Sequence, residues 1–154
     1  MDWDPTSDAW LSGFAAGEAC FFIARVKGQP TAPRFHITLR ADDWSVLEEL
    51  KAAFGGGVHG MKADPRGGRP RAIWFVIAKR DLAKLVDYFD RFPLHAKKAN
   101  DYPIWRRAVA LYLSATVAER AEEMEALCDA LREGRVYVQM ESLAPVAELR
   151  AVEK

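Results

Sequence analysis

Glu18 closes a run rich in small residues, and an acidic side chain there offers a hard oxygen donor of the kind that divalent cations prefer. One carboxylate holds a cation poorly, so a second must come from elsewhere. The run itself suggests a source. Gly13 and Gly17, like Ser12 and Ala16, stand four residues apart, which on a helix puts small side chains on one face where a second backbone can approach. Two such helices side by side, with Trp10, Ser12, Gly13, Ala16 and Gly17 between them, would bring two Glu18 carboxylates together. A second group lies in the segment 34–40, where Arg34, His36, Thr38 and Arg40 alternate with Phe35, Ile37 and Leu39 and so share one strand face. A third is the pair Lys97 and Lys98, which on its own reads as exposed lysines at a helix start. His36, His59 and His95 have no mutual metal spacing, and neither Cys20 nor Cys128 has a second ligand-type residue at zinc spacing, so no zinc knuckle or disulfide framework is expected.

The 22 basic and 22 acidic residues cancel, yet their distribution along the 154 positions is uneven. Residues 19–40 carry Arg25, Lys27, Arg34 and Arg40 with no acid, and residues 59–80 carry Lys62, Arg66, Arg69, Arg71, Lys79 and Arg80 against Asp64 alone. The last stretch, 117–154, holds nine acids against five bases. A neutral total therefore conceals two basic blocks, each either a solvated charge run or a surface for an anionic polymer. No apolar run of about eighteen residues and no basic-then-apolar leader is present, so the expectation is an unexported protein, cytoplasmic or organellar, with reduced cysteines and no membrane partner.

These groups need elements to position them. Capping oxygens at Asp4 to Asp8, followed by Trp10, Leu11, Phe14 and Ala15 on one stripe, predict a helix ending near Gly17. A strand over 19–27 follows, although the run Phe21, Phe22, Ile23 does not fix its phase without a bulge near Ala24. Gly28, Pro30 and Pro33 mark a connection before the alternating strand 34–40. Asp42 or Asp43 then caps a helix with Val46, Leu47, Leu50 and Phe54 inward, stopped by Gly55, Gly56 and Gly57. Strands over 58–62 and 71–77 and a helix over 81–89 repeat the order, and helices over 104–112 and 117–133 precede a polar tail. The fold class is α+β, αββαββα: a four-stranded antiparallel sheet with helices on one face, plus C-terminal helices, in one domain over 1–154 with its core at about 8–112 and C-terminal helices and tail at 113–154. The uncovered sheet face would then present the basic residues. Trp44, Trp74, Trp105 and Phe75 sit in apolar stripes and are expected in the core.

The segment Leu11-Ser12-Gly13-Phe14-Ala15-Ala16-Gly17-Glu18-Ala19-Cys20-Phe21 resembles the LAGLIDADG motif, in which a helix packed with small residues ends in an acid just before the first strand. Far downstream, Pro93-Leu94-His95-Ala96-Lys97-Lys98, followed by Asp101, Ile104 and Trp105, is similar to the segment that precedes that family's C-terminal helices. The two cover roughly residues 8 to 112, with Ala16 where the motif has its first acid and Ala19 where it has a glycine. The resemblance implies a single-motif homing endonuclease: a homodimer in which Glu18 and its symmetry mate hold Mg²⁺ or Mn²⁺, and Lys97 polarises water or steadies the transition state at the scissile phosphate. Arg40 stands in the neighbourhood of the family's polar residue at the end of the second strand, and is assigned with Glu18 and Lys97 to catalysis. The sheet face would enter the major groove of a long, pseudo-palindromic double-stranded DNA site, read by Arg34, His36, Thr38 and Arg40, with Arg25, Lys27, Lys62, Arg69 and Arg71 as further contacts and Arg66 on phosphate. An intron-RNA-binding maturase, or a regulator that binds DNA without cutting it, are the alternatives on the same fold.

Overall fold

The computed structural model describes residues 4–135. Helix α1 (Trp10–Glu18) passes without a connecting residue into strand β1 (Ala19–Ala24), which a turn joins to β2 (Ala32–Arg40). A single 3-10 turn, Ala41–Asp43, leads to α2 (Trp44–Phe54), then β3 (Gly57–Met61), β4 (Arg71–Val76) and α3 (Lys79–Arg91). Two longer helices, α4 (Lys98–Ser114) and α5 (Val117–Glu133), complete the described chain; the polar tail expected from the sequence lies outside it. The strands form one antiparallel sheet in the order β1-β2-β4-β3, so the expected doubled αββ layout is present.

The register explains which residues face where. Ala19, Phe21 and Ile23 of β1 and Pro33, Phe35 and Ile37 of β2 point to the helices, while Cys20, Phe22 and Ala24 share the opposite face with Arg34, His36 and Thr38. No bulge is needed, and the strand stops at Ala24 rather than at residue 27. Phe21 is the centre of the core: it meets Phe35, Phe89, Tyr102 and Trp105 at centroid distances of 5.0 to 5.9 Å, all edge-on. Edge-to-face pairs of this kind contribute about 0.5–1.5 kcal/mol each beyond burial. The two buried indoles also donate hydrogen bonds, Trp74 Nε1 to Gly55 O and Trp105 Nε1 to Arg34 O, both at 2.8 Å.

Two aromatic expectations are corrected. Trp44 is exposed at the start of α2, and Phe75 lies half-buried on the uncovered sheet face, beside His59. The last strand's apolar run packs on both faces, so its stripe does not separate inside from outside. Helix α4 likewise begins six residues before the expected Ile104. Pro103 falls in its second turn, where it removes one backbone donor without ending the helix.

The glycines after α2 are required by their surroundings. Gly55 and Gly56 adopt φ of 87° and 81°, and a Cβ on Gly55 would stand 2.3 Å from Asp81 Cγ. Asp81 is buried, accepts a hydrogen bond from Gly56 N–H at 3.0 Å, and so ties the second helix-to-strand turn to α3. Burial opposes the charge on Asp81, but hydrogen bonds from Arg80 and from Gly56 N–H outweigh it and hold the carboxyl below its ordinary 3.8. A depressed folded pKa stabilises above the ordinary value, and the gain is lost as pH falls through the folded one. Asp81→Asn is therefore expected to cost about 1–3 kcal/mol at neutral pH and to flatten the loss of stability below pH 3.8, measured by urea unfolding across the acid range.

Candidate active site and nucleic-acid interface

Helix α1 is held to the protein along one side only. Leu11, Ser12 and Ala15 are buried, the Ser12 hydroxyl donates to the Phe92 carbonyl, and Tyr88 donates its phenolic proton to Asp8 O at 2.6 Å. The opposite side carries Trp10, Gly13, Phe14 and Gly17, with Trp10 stacked on Phe14 at 4.8 Å and 39% exposed. Among the described residues, and apart from the helix's own backbone and the neighbouring residues, no atom lies within 4 Å of where a Cβ would stand on Gly13 or on Gly17. Nothing among the described residues accounts for those glycines. The structure also corrects the expected set: Ser12, 2% exposed, belongs to the inner side and cannot line an outward-facing contact, whereas Ala16 is half-buried.

Glu18 ends this helix exposed, and among the described residues it makes no ion pair. Its position at a helix C-terminus adds the negative end of the helix dipole to its own charge, which favours a cation there. No cluster of three or more potential metal-ligating side chains occurs among the described residues. As Ala19 pairs with Ile37, Glu18 stands one position before the register, level with Thr38 on the uncovered face.

Lys98 lies close enough to His36 on β2 to act on its charge, and Lys97 immediately precedes it in the chain. Ala96 adopts a left-handed φ of 55°, an unfavourable conformation for a residue with a Cβ, and turns the chain into α4 with Lys97 as its N-cap. Burial first, then the charges of Arg135 and Lys98, lower the basicity of His36, and His36 is the register partner of Cys20, two residues beyond Glu18. His36 is thus neutral at neutral pH while two cations stand beside it. Lys98 and Arg135 were not picked out by sequence as part of this face. Arg135 lies after α5 and donates to Phe21 O on the outer edge of β1, a contact with no local sequence signal.

The uncovered face is more apolar than its basic blocks suggest. Phe22, His36, Ile73 and Phe75 border a shallow hollow of about 270 Å³ with Arg34 at one end. Thr38 lies opposite Ile73, and Arg40 opposite Arg71, at the Glu18 end of β2, with Arg40 paired to Asp42 at 2.5 Å. Lys62, Arg66 and Arg71 surround an open hollow beside the β3–β4 loop, and Arg69 is exposed in the same loop. Lys27 is exposed in the β1–β2 turn. Arg25 is the exception among the expected contacts. It forms ion pairs with Glu125 at 2.5 Å and Asp129 at 2.7 Å on α5, away from the sheet face.

A family model described as LAGLIDADG endonuclease matches residues 11–109, which takes in α1, all four strands and the start of α4. This chain belongs to the LAGLIDADG endonuclease family. Its fold is similar to a crystal structure of the homing endonuclease I-TnaI, with 27% identity, 98% of this chain and 96% of that chain covered and a TM-score of 0.63. It also resembles half of I-SmaMI bound to cleaved DNA, with 24% identity, 88% of this chain and 47% of that one covered and a TM-score of 0.66. Among curated sequences, an uncharacterized 50.9 kDa protein in ND4 intron 1 of Podospora anserina is 29% identical over 115 residues, and the probable intron-encoded endonuclease Cox1-I1b of Schizosaccharomyces pombe is 26% identical over 112. The shared stretch is 69% and 70% of this chain but only 24% and 28% of those proteins, so the chain spans about a quarter of the length of the curated relatives it matches.

The bare side of the LAGLIDADG helix generates a test with two opposite signs. Gly13→Leu sets its Cβ in open space among the described residues and removes a poor helix former, so unfolding of the dilute chain should become harder by up to about 1 kcal/mol. Any close helix-helix contact through Gly13 would be blocked by the same side chain, and sedimentation equilibrium should show weakened self-association.

Proposed function

We propose that this chain is one subunit of a homodimeric homing endonuclease that hydrolyses double-stranded DNA with a divalent cation, Mg²⁺ or Mn²⁺. The observation that carries the reading is Glu18: an exposed carboxylate without an ion-pair partner among the described residues, at the end of a helix whose bare side has room for a second copy. Similarity to I-TnaI along nearly the whole of both chains supports it, as does the DNA bound to the related fold of I-SmaMI.

The donor set suits a hard cation. Carboxylate oxygen is the preferred ligand of Mg²⁺ and Mn²⁺, one carboxylate per protomer becomes two across a two-fold axis, and the cysteine Cys20 nearby is a soft donor that neither ion favours. A cation held there supplies charge against the developing phosphorane and acidifies water. The chain's own groups do the remainder. Glu18 would hold the cation, Lys97 would bring a positive charge to the scissile phosphate, and Arg40 would orient the phosphate or a neighbouring base once released from Asp42. That exposed ion pair is cheap to break. The sheet face then lies in the major groove, with Arg34, His36 and Thr38 towards base edges, Lys27, Lys62, Arg66, Arg69 and Arg71 around the flanks, and Phe22, Ile73 and Phe75 giving it an apolar middle suited to thymine methyl groups.

Glu18→Gln keeps the shape and removes the charge. Cleavage of a target duplex should disappear while affinity for the same duplex in Ca²⁺ is kept or rises, because an uncompensated carboxylate pair repels phosphate. Lys97→Met should slow cleavage by roughly 10²–10⁴-fold and leave binding in place. Wild-type cleavage rates in Glu18→Gln would remove the assignment, and a wild type that binds duplex without cutting it in any divalent metal would identify a regulator.

A further inference from the structure

At the other end of β1 and β2 from Glu18, the β1–β2 turn, the end of β4 and the corner between α4 and α5 enclose a cavity of about 310 Å³. Gln29, Arg34, Ile77, Tyr112 and Arg120 line it, and no acidic side chain does. Arg120 is 5% exposed. Its Nε and that of Arg34 are the two buried side-chain polar atoms without a hydrogen-bond partner among the described residues. The remaining contacts of both groups are sparse: Arg120 Nη1 donates to Ala115 O at 2.6 Å, and Arg34 Nη2 reaches Gln29 Oε1 only at 3.5 Å. A third cation, Lys79, stands against the Tyr112 ring without lining the cavity. Lys79 Nζ lies 4.9 Å from the centre of that ring and the Arg120 guanidinium 5.0 Å from it. Glu125, which lines the adjoining hollow, is engaged by Arg25 and Thr31 instead.

Burying an arginine Nε–H without an acceptor is costly, and two guanidiniums beside one cavity repel each other as well. An oxyanion between them removes both penalties. We propose that this cavity binds a phosphate group. Planar guanidiniums match the spacing of phosphate oxygens, and two lining guanidiniums with no lining acid favour a highly charged anion over a single carboxylate. Arg34 and Ile77 line both this cavity and the hollow on the sheet face, so the two are continuous. The phosphate is therefore either free inorganic phosphate or a backbone phosphate near the outer end of a duplex laid across the sheet. Only the second source rests on the proposed function, and the first stands if DNA binding fails.

Arginine Nε–H resonances of the full chain, titrated with inorganic phosphate against chloride at matched ionic strength, read the site directly in the wild type. Resonances of Arg34 and Arg120 should move saturably with one midpoint, and phosphate should raise the thermal midpoint by several degrees more than chloride. Arg120→Met should lose both effects. Because that variant gives up a buried side chain, the exposed Lys79→Met serves as the second, and it should weaken phosphate binding several-fold while leaving the unligated midpoint in place. If the group belongs to DNA, a long duplex should displace inorganic phosphate and move the same two resonances, whereas a short duplex confined to the Glu18 end should not. The proposal is overturned if neither phosphate nor long duplex shifts either resonance beyond chloride, or if Arg120→Met binds phosphate as the wild type does.

Discussion

A helix fastened on one side and bare on the other is the constraint from which the rest of this protein follows. The Ser12 hydroxyl on the Phe92 carbonyl and the Tyr88 phenol on Asp8 O bind α1 to α3 and to the segment after it. They fix its rotation about its own axis. With Leu11, Ser12 and Ala15 turned inward and Phe14 packed at the core's edge, Trp10, Gly13 and Gly17 face outward, and Glu18 can only emerge where β1 begins. A rotation of one residue, about 100° on a helix, would bury the stripe and withdraw the carboxylate from the sheet. Core packing and the delivery of an acid are thus one structural event.

The charge distribution follows from what each element packs against. β1 is an edge strand, and α5 covers its open side, with Arg135 donating to Phe21 O and the Cys128 thiol to Ile23 O. Covering an exposed edge in this way prevents pairing with another chain. The acidic character of α5 has a local use here, since Glu125 and Asp129 neutralise Arg25 at the end of β1. The basic surface is left to the sheet face, the β3–β4 loop and the N-terminus of α4. A neutral total charge is compatible with that division because the acids are spent on the helix side.

Much of this was legible in the residues, and the failures have physical causes. Strand β2 could be phased because Arg34, His36, Thr38 and Arg40 alternate with apolar residues, one face dry and one wet. Strand β1 could not, since Phe22 on the open face is as apolar as Phe21 in the core. The same ambiguity misplaced Phe75. Small residues recur on both sides of α1, so spacing alone assigned Ser12 to the outer side, and only its partner 80 residues away shows otherwise. Arg25 was misjudged for a related reason, its acids lying about a hundred residues downstream. Pro103 concealed the first turn of α4 because a proline reads as a boundary, although near a helix start it costs a single hydrogen bond. Pairing across long sequence distance is the information that local patterns lack.

The central claim is that the catalytic centre is assembled from two copies of α1. Subunit mixing tests it without any knowledge of the dimer's geometry. Wild type and Glu18→Gln are unfolded together, refolded at constant total concentration in varied proportion, and assayed for total strand scission, nicks included. If both carboxylates are needed, activity falls as the square of the wild-type fraction, with mixed dimers bound to DNA but unable to cut either strand. Activity that falls in simple proportion to the wild-type fraction would mean that each protomer carries a complete site, and would contradict the account.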